Sequence, residues 1–287
     1  MTALCSALAI AAYAGLDRWQ RHVIFSVEMG DARWAREAPE GTEIFSLPVG
    51  KNEQVAAWYL PAEAHDAPSV LYLHGSRWNL NSSVFRIEHW HAMGYNVLAI
   101  DYRGFGESSP GLPSQEKARE DARVALNELA RRQPDPSKRF LYGHSLGGAV
   151  AIDAAIRSEP DQLAGLIVES SFTRIEDMIA HSDWAKFPGL RYLVTQPFDS
   201  LTHISQTPFP ALFMHGTADH VVPDQMSDQL YAAALKRPCA TSQLVKLEGA
   251  SHTSGSRHSA YTAAVKGFTQ TAQQHFSKTR NACPAPT

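Results

Sequence analysis

From Gly41 onward, short unbroken apolar runs alternate with longer stretches whose apolar residues recur every three or four positions. Runs of the first kind read as strands, stretches of the second as amphipathic helices. Residues 42–49 and 54–61 predict two strands joined by a turn at Gly50-Lys51-Asn52. Residues 69–75, 96–104, 139–145, 163–170, 210–219 and 242–249 predict further strands, most of them apolar enough to be buried on both faces. Between them, residues 82–93, 114–132, 146–157, 224–236 and 257–277 predict helices. The clearest is 114–132, where Ala122, Val124, Ala125, Leu126 and Leu129 form a core-facing stripe. Ser114 stands three residues before Lys117, so no capping box opens this helix. Strand and helix in alternation predict an α/β fold: a mostly parallel central sheet with helices on both faces. In such sheets the reactive groups gather beyond the carboxyl ends of the strands.

One motif stands at such an end. Gly143-His144-Ser145-Leu146-Gly147 fits G-x-S-x-G, where the apolar run Phe140-Leu141-Tyr142 meets an alanine-rich helix. The pattern alone is weak; the strand–turn–helix setting is what marks a nucleophile elbow. A serine there takes a strained backbone on a tight turn, and side chains at Gly143 and Gly147 would collide with it or with a neighbouring strand. The turn also sets Ser145 at a helix N-terminus, whose free N–H groups favour developing negative charge.

A serine hydroxyl needs a base, usually a histidine oriented by a carboxylate. The chain has thirteen histidines, so position must choose. In chain order the acid and then the histidine follow the nucleophile. Asp219 ends the strand-like run 210–219, and His252 follows the last strand within Gly249-Ala250-Ser251-His252. Asp224 and His258 are the substitutes, while His144, His215 and His220 read as packing or loop residues. Charge developing on an acyl oxygen needs two aimed N–H donors. Leu146 N–H, directly after the nucleophile, is one, and Ser76 N–H in the loop His74-Gly75-Ser76-Arg77 is the other. Gly75 permits close approach, and Arg77 reads as a solvated side chain rather than one lining the mouth.

Composition narrows the field. With 26 basic and 29 acidic residues the net charge is −3, which gives no basic excess for nucleic acid. No metal-ligand spacing and no G-x-G-x-x-G after a strand is present, so no metal and no organic cofactor is expected. Cys5, Cys239 and Cys283 read as free thiols, with a Cys239–Cys283 bridge as the alternative in an oxidising compartment. Residues 2–16 carry no charge but fall short of the roughly 20 a membrane span needs. Ala12-Tyr13-Ala14 resembles a cleavage site, yet no basic residue precedes the apolar stretch. Arg18 and Arg21 follow it directly, which would leave an anchored domain facing the cytoplasm. The expected organisation is an apolar segment over 1–20, either an anchor, a processed segment or a packed helix, and one domain over 21–287. A membrane-associated protein facing the cytoplasm is favoured over a soluble cytoplasmic or an exported one.

His74-Gly75-Ser76, Asp101-Tyr102-Arg103-Gly104-Phe105-Gly106-Glu107-Ser108, Gly143-His144-Ser145-Leu146-Gly147-Gly148, His215-Gly216-Thr217-Ala218-Asp219-His220-Val221-Val222-Pro223 and Ser251-His252 together resemble the alpha/beta-hydrolase superfamily. Within it the chain resembles the serine-aminopeptidase-like group with a minimal cap, which includes membrane-tethered hydrolases and protein depalmitoylases. The resemblance spans about residues 40–275 and extends to Arg21–Phe25, which is similar to the segment after a membrane anchor in that group. It implies a Ser145–Asp219–His252 triad and a structural role for the loop Asp101–Ser108. Ser76-Arg77 departs from the Asn-Ala or Asn-Gly of many relatives. The stretch of about 171–209 falls where relatives insert a lid, and implies a small cap lined by Phe172, Met178, Trp184, Phe187, Tyr192 and Phe198. The expected chemistry is hydrolysis of an ester or thioester in a small-molecule or lipid acyl substrate, through an acyl-enzyme on Ser145. The alternatives are a peptidase with the same triad, with Glu169 or Glu176 holding a free amine, and a non-catalytic binding protein.

Overall fold

The computed structural model describes residues 2–28, 32–159, 162–187, 189–236 and 241–279. Eight strands form one sheet: β1 (Glu43–Val49), β2 (Glu53–Leu60), β3 (Ser69–Leu73), β4 (Asn96–Ile100), β5 (Arg139–His144), β6 (Gly165–Glu169), β7 (Ala211–Gly216) and β8 (Gln243–Leu247). Their order is β1-β2-β4-β3-β5-β6-β7-β8. Only β2 runs against its neighbours β1 and β4; the other pairs are parallel. The strand period of two divides the core. Leu71, Leu73, Leu141, Leu166, Val168 and Phe213 face one apolar layer. Val70, Tyr72, Phe140, Tyr142, Ile167, Leu212 and Met214 face the other.

Helices cover both faces. α3 (Gln115–Arg132), α4 (Leu146–Ala155) and α7 (Gln225–Ala234) supply side chains to the first layer. α2 (Val84–Ala92) and α8 (Ser259–Thr279) supply the second through Val84, Ile87, Trp90, Tyr261, Val265 and Phe268. α4 is nearly all apolar and buried on every side, with Asp153 its one charged residue, accepting from Gln115 Nε2 at 3.3 Å. α3 buries Ala118, Asp121, Ala122, Ala125, Leu126 and Leu129, whereas Val124 is only partly buried. Ser114 caps it without a box, its Oγ accepting from Lys117 N–H at 3.1 Å. The helix expected over 82–93 is a 3-10 turn (Leu80–Ser83) leading into α2. The stretch 171–209 is short and irregular: α5 (Ile175–Ala180), two 3-10 turns and α6 (Ser200–Ile204).

The chain opens with α1 (Thr2–Phe25), which continues unbroken past residue 20. Its far end is seated on the domain. Phe25 is in the core, Gln20 bonds Leu193 O (2.7 Å) and Thr195 N–H (2.8 Å), and Arg21 Nε donates to Pro113 O at 2.7 Å. Its near end is not, with Leu8, Ile10 and Tyr13 exposed by 62–70%. Among the described residues no helix is long and apolar enough to cross a membrane. Cys5 is an exposed free thiol, while Cys239 and Cys283 lie outside the described residues.

Candidate active site

β5 ends at His144, and α4 begins at Leu146, leaving Ser145 alone on the turn with φ 54° and ψ −122°. Such a backbone is strained for any residue with a Cβ and persists only where packing enforces it. The enforcement is visible. A Cβ on Gly143 would lie 2.1 Å from Gly147 O, and one on Gly147 would lie 2.2 Å from Leu73 O at the end of β3. Ser145 N–H donates to Glu169 O at 2.9 Å, which ties the turn to β6.

The loops after β7 and β8 reach the same point. Asp219 Oδ1 accepts N–H bonds from Val221 (2.8 Å) and Val222 (2.9 Å). Its Oδ2 accepts from His252 Nδ1 at 2.7 Å and from His215 Nε2 at 3.1 Å. Burial would raise this carboxyl, but the bonds from His215 and His252 outweigh it and hold Asp219 well below the usual carboxylate range. With Nδ1 committed as a donor, His252 Nε2 presents its lone pair to Ser145 Oγ at 3.0 Å. The substitutes are engaged elsewhere. Asp224 pairs with Lys246 at 2.9 Å, and His258 accepts from Ala260 N–H at 3.1 Å.

Leu146 follows Ser145 in the chain as the first residue of α4, and Ser76 follows Gly75, the loop residue that approaches Ser145. A Cβ on Gly75 would approach Ser145 Cβ to 3.3 Å, tighter than most such contacts, so the loop after β3 packs closely against the serine where residue 75 lacks a side chain. Arg77 turns away to pair with Glu28 at 3.2 Å. The loop from Asp101 to Ser108 is structural in its contacts. Asp101 Oδ1 accepts Leu80 N–H at 2.9 Å, and buried Arg103 bonds Asp121, Glu53 and Glu120 at 2.6–2.7 Å.

Several residues at this centre have roles that no motif in the sequence assigns. His144 is buried, and its Nε2–H donates to the backbone carbonyl of His252 at 2.8 Å. Burial, reinforced by the guanidinium of Arg86, lowers His144 well below the ordinary histidine range, so it stays neutral. Arg86 Nη2 lies 3.1 Å from His144 Nε2 and donates to Thr253 O at 3.3 Å. Glu169 lies behind it, 3.9 Å from Arg86, accepting Tyr142 OH (2.5 Å) and Tyr261 OH (3.0 Å). Glu169 is fully buried in this network, which removes it as a holder of a substrate amine. His215 is likewise a buried donor to Asp219 rather than mere packing. A histidine immediately before the serine, and another four residues before the acid, were the available hints.

The cap aromatics divide. Phe172 and Phe198 are core residues, 6.3 Å apart and edge-to-face. Trp184, Phe187 and Tyr192 are exposed, and Trp184 packs on Trp19 of α1 at 5.1 Å. Of the aromatic set expected to line a cap, Phe172 and Phe198 are therefore packed into the core, and Trp184, Phe187 and Tyr192 are open to solvent. No group of three His, Cys, Asp or Glu side chains among the described residues is placed to hold a metal.

The sequence profile of the family described as Serine aminopeptidase, S33 matches residues 64–200, which include the Gly75 loop and the elbow. The uncharacterized protein Rv2307c of Mycobacterium tuberculosis is 31% identical over 219 residues, covering 75% of each chain. Among solved structures, the esterase Pf2001 of Pyrococcus furiosus is similar with a TM-score of 0.63 at 17% identity, covering 88% of this chain and 97% of that one. An acylaminoacyl peptidase of Pyrococcus horikoshii is similar with a TM-score of 0.60 at 16% identity, covering 82% of this chain. The present chain spans only 41% of that peptidase's length. Fold, elbow and relatives agree, and the chain belongs to the alpha/beta-hydrolase superfamily.

Proposed function

We propose that the protein is a serine hydrolase that cleaves ester or thioester bonds through an acyl-enzyme on Ser145. The observation that carries this reading is the relay of short contacts from Ser145 Oγ to His252 Nε2 (3.0 Å) and from His252 Nδ1 to Asp219 Oδ2 (2.7 Å). Ser145 Oγ attacks the acyl carbon while its proton passes to His252 Nε2. Negative charge collects on the acyl oxygen, where the N–H groups of Leu146 and Ser76 stabilise it; one such donor is worth about 3 kcal/mol. The tetrahedral species expels the alcohol or thiol, which takes the proton from His252. Water then repeats the sequence on the acyl-enzyme and releases the acid. The ionised Asp219 keeps the imidazole in the tautomer this needs and stabilises the imidazolium as it forms.

An amine-bearing peptide loses one of its two candidate anchors because Glu169 is sealed in its own network, which leaves Glu176 as the carboxylate a peptidase reading would need. The exposed apolar part of α1 supports association with a lipid surface. The test is direct. A fluorophosphonate probe should label Ser145, and Ser145→Ala should lose both labelling and turnover of short p-nitrophenyl esters. Undiminished turnover in that variant ends the proposal. An aminoacyl amide hydrolysed faster than the ester of the same acyl group would move the reading to a peptidase.

A further inference from the structure

The loop after β3 contains a second strained residue, Arg77, a non-glycine at φ 82°. A conformation of that kind persists only where its surroundings over-determine it. Here both backbone groups of Arg77 are taken by the segment leaving α1. Arg77 N–H donates to Phe25 O at 2.9 Å, and Glu28 N–H donates to Arg77 O at 2.9 Å. That segment is itself anchored. The fully buried Phe25 ring lies 6.0 Å from Phe198 and 6.5 Å from Phe105, and Ser26, at φ 48°, turns the chain out of the helix.

The two preceding peptides are each held by another group. His74 Nδ1–H donates to Gly75 O at 2.7 Å, and Tyr102 OH donates to His74 O at 3.1 Å. Gly75 C=O and Ser76 N–H belong to one planar peptide, so fixing the carbonyl aims the N–H the other way. One end of the loop is thus tied to β3 and β4 neighbours, the other to the end of α1. From this we infer that Phe25–Glu28 is a positioning element for the reaction: by locking Arg77 it aims Ser76 N–H at the acyl oxygen of a substrate on Ser145. This rests on the hydrolase reading above.

Two substitutions at one position test it in the full chain. Arg77→Val and Arg77→Gly both delete the guanidinium, but valine resists a positive φ and glycine does not. With both variants folded by thermal melting, kcat on a short p-nitrophenyl ester should be about tenfold or more lower for valine than for glycine, with KM alike. Glu28→Pro deletes the second clamp bond and should also lower kcat without raising KM. Glu28→Ala keeps that bond, loses only an exposed ion pair, and should cost at most about threefold. A purely structural clamp would lower the melting temperature and leave kcat below it unmoved. Ser145-dependent turnover that is the same in Arg77→Val and Arg77→Gly, and undiminished in Glu28→Pro, overturns the inference alone. Absence of Ser145-dependent turnover in the unmodified protein overturns the hydrolase reading and this inference together.

Discussion

The two flanks of Ser145 are held in different ways. On the base side, His252 is held directly by Asp219, in the loop after β7, and by His144 at the end of β5, while His215 on β7 braces Asp219 from behind. Arg86 adds a bond to the next residue's carbonyl. Nearly all of these groups are buried, and their charges are paired or neutralised. On the oxyanion side, the loop Gly75–Arg77 leans on a helix end that belongs to no strand–helix repeat and whose other end is exposed. The contrast teaches that the candidate base side is built into the scaffold, whereas on the proposed reading donor alignment on the other side depends on a peripheral element. Substitutions far from the sheet should therefore reach turnover only through the second flank.

The largest effects should come from the first. Ser145→Ala should lower kcat by about 10⁴- to 10⁶-fold in steady-state ester hydrolysis, with the fold intact by circular dichroism. Asp219→Asn should follow at about 10³- to 10⁴-fold, because an amide no longer enforces the His252 tautomer. If Asp219→Asn loses less than the Arg77 variants do, the ranking of the two flanks is reversed.

Next comes the scaffold. Gly147→Ala places a methyl against Leu73 O, where only 2.2 Å is available, so β3 and β5 must part. Urea unfolding should show a loss of at least about 3 kcal/mol, or no folded protein. A smaller effect concerns pH. The folded-state pKa of His144 is depressed below its ordinary 6.5, so the unfolded chain takes up a proton that the folded chain refuses. That contribution to stability is present above pH 6.5 and is lost as pH falls below it, by up to about 1.4 kcal/mol per pH unit. Between pH 7.5 and 5, His144→Gln should therefore lose less stability than the unmodified protein. An equal loss in urea midpoints would show that His144 titrates normally.

The smallest effect sharpens the view of α1. Removing residues 2–15 takes away a stretch whose described side chains, 5–15, are exposed, and leaves the seated end, Asp17–Phe25, in place. Turnover of a water-soluble ester should stay within about twofold, since exposed positions away from packed features change stability by a few tenths of a kcal/mol. A large loss would mean that the free end of the helix also supports the oxyanion flank.

Much of this molecule was legible before any coordinates. Buried parallel strands are nearly all apolar, so their runs stand out. They read one to four residues too long, because the first site residues after the strands, His74 and Asp101, are themselves buried. Ser145, Asp219 and His252 were legible because chemistry places them at strand ends in a set order. The Arg86–Glu169 network was not, since neither residue stands in a motif and their partners are distant in sequence. The aromatic positions of 171–209 were legible only as apolar, which does not say whether they face the core or solvent.

By itself, the order of residues determined the sheet, the elbow and the candidate relay, because local periodicity and tight-turn sterics act over a few neighbours. Only the folded chain decided how the relay is braced: Phe25 against Arg77, His144 against His252, Glu169 against two tyrosines. Those contacts join residues 27 to 108 positions apart, and no short-range pattern encodes a partner at that distance.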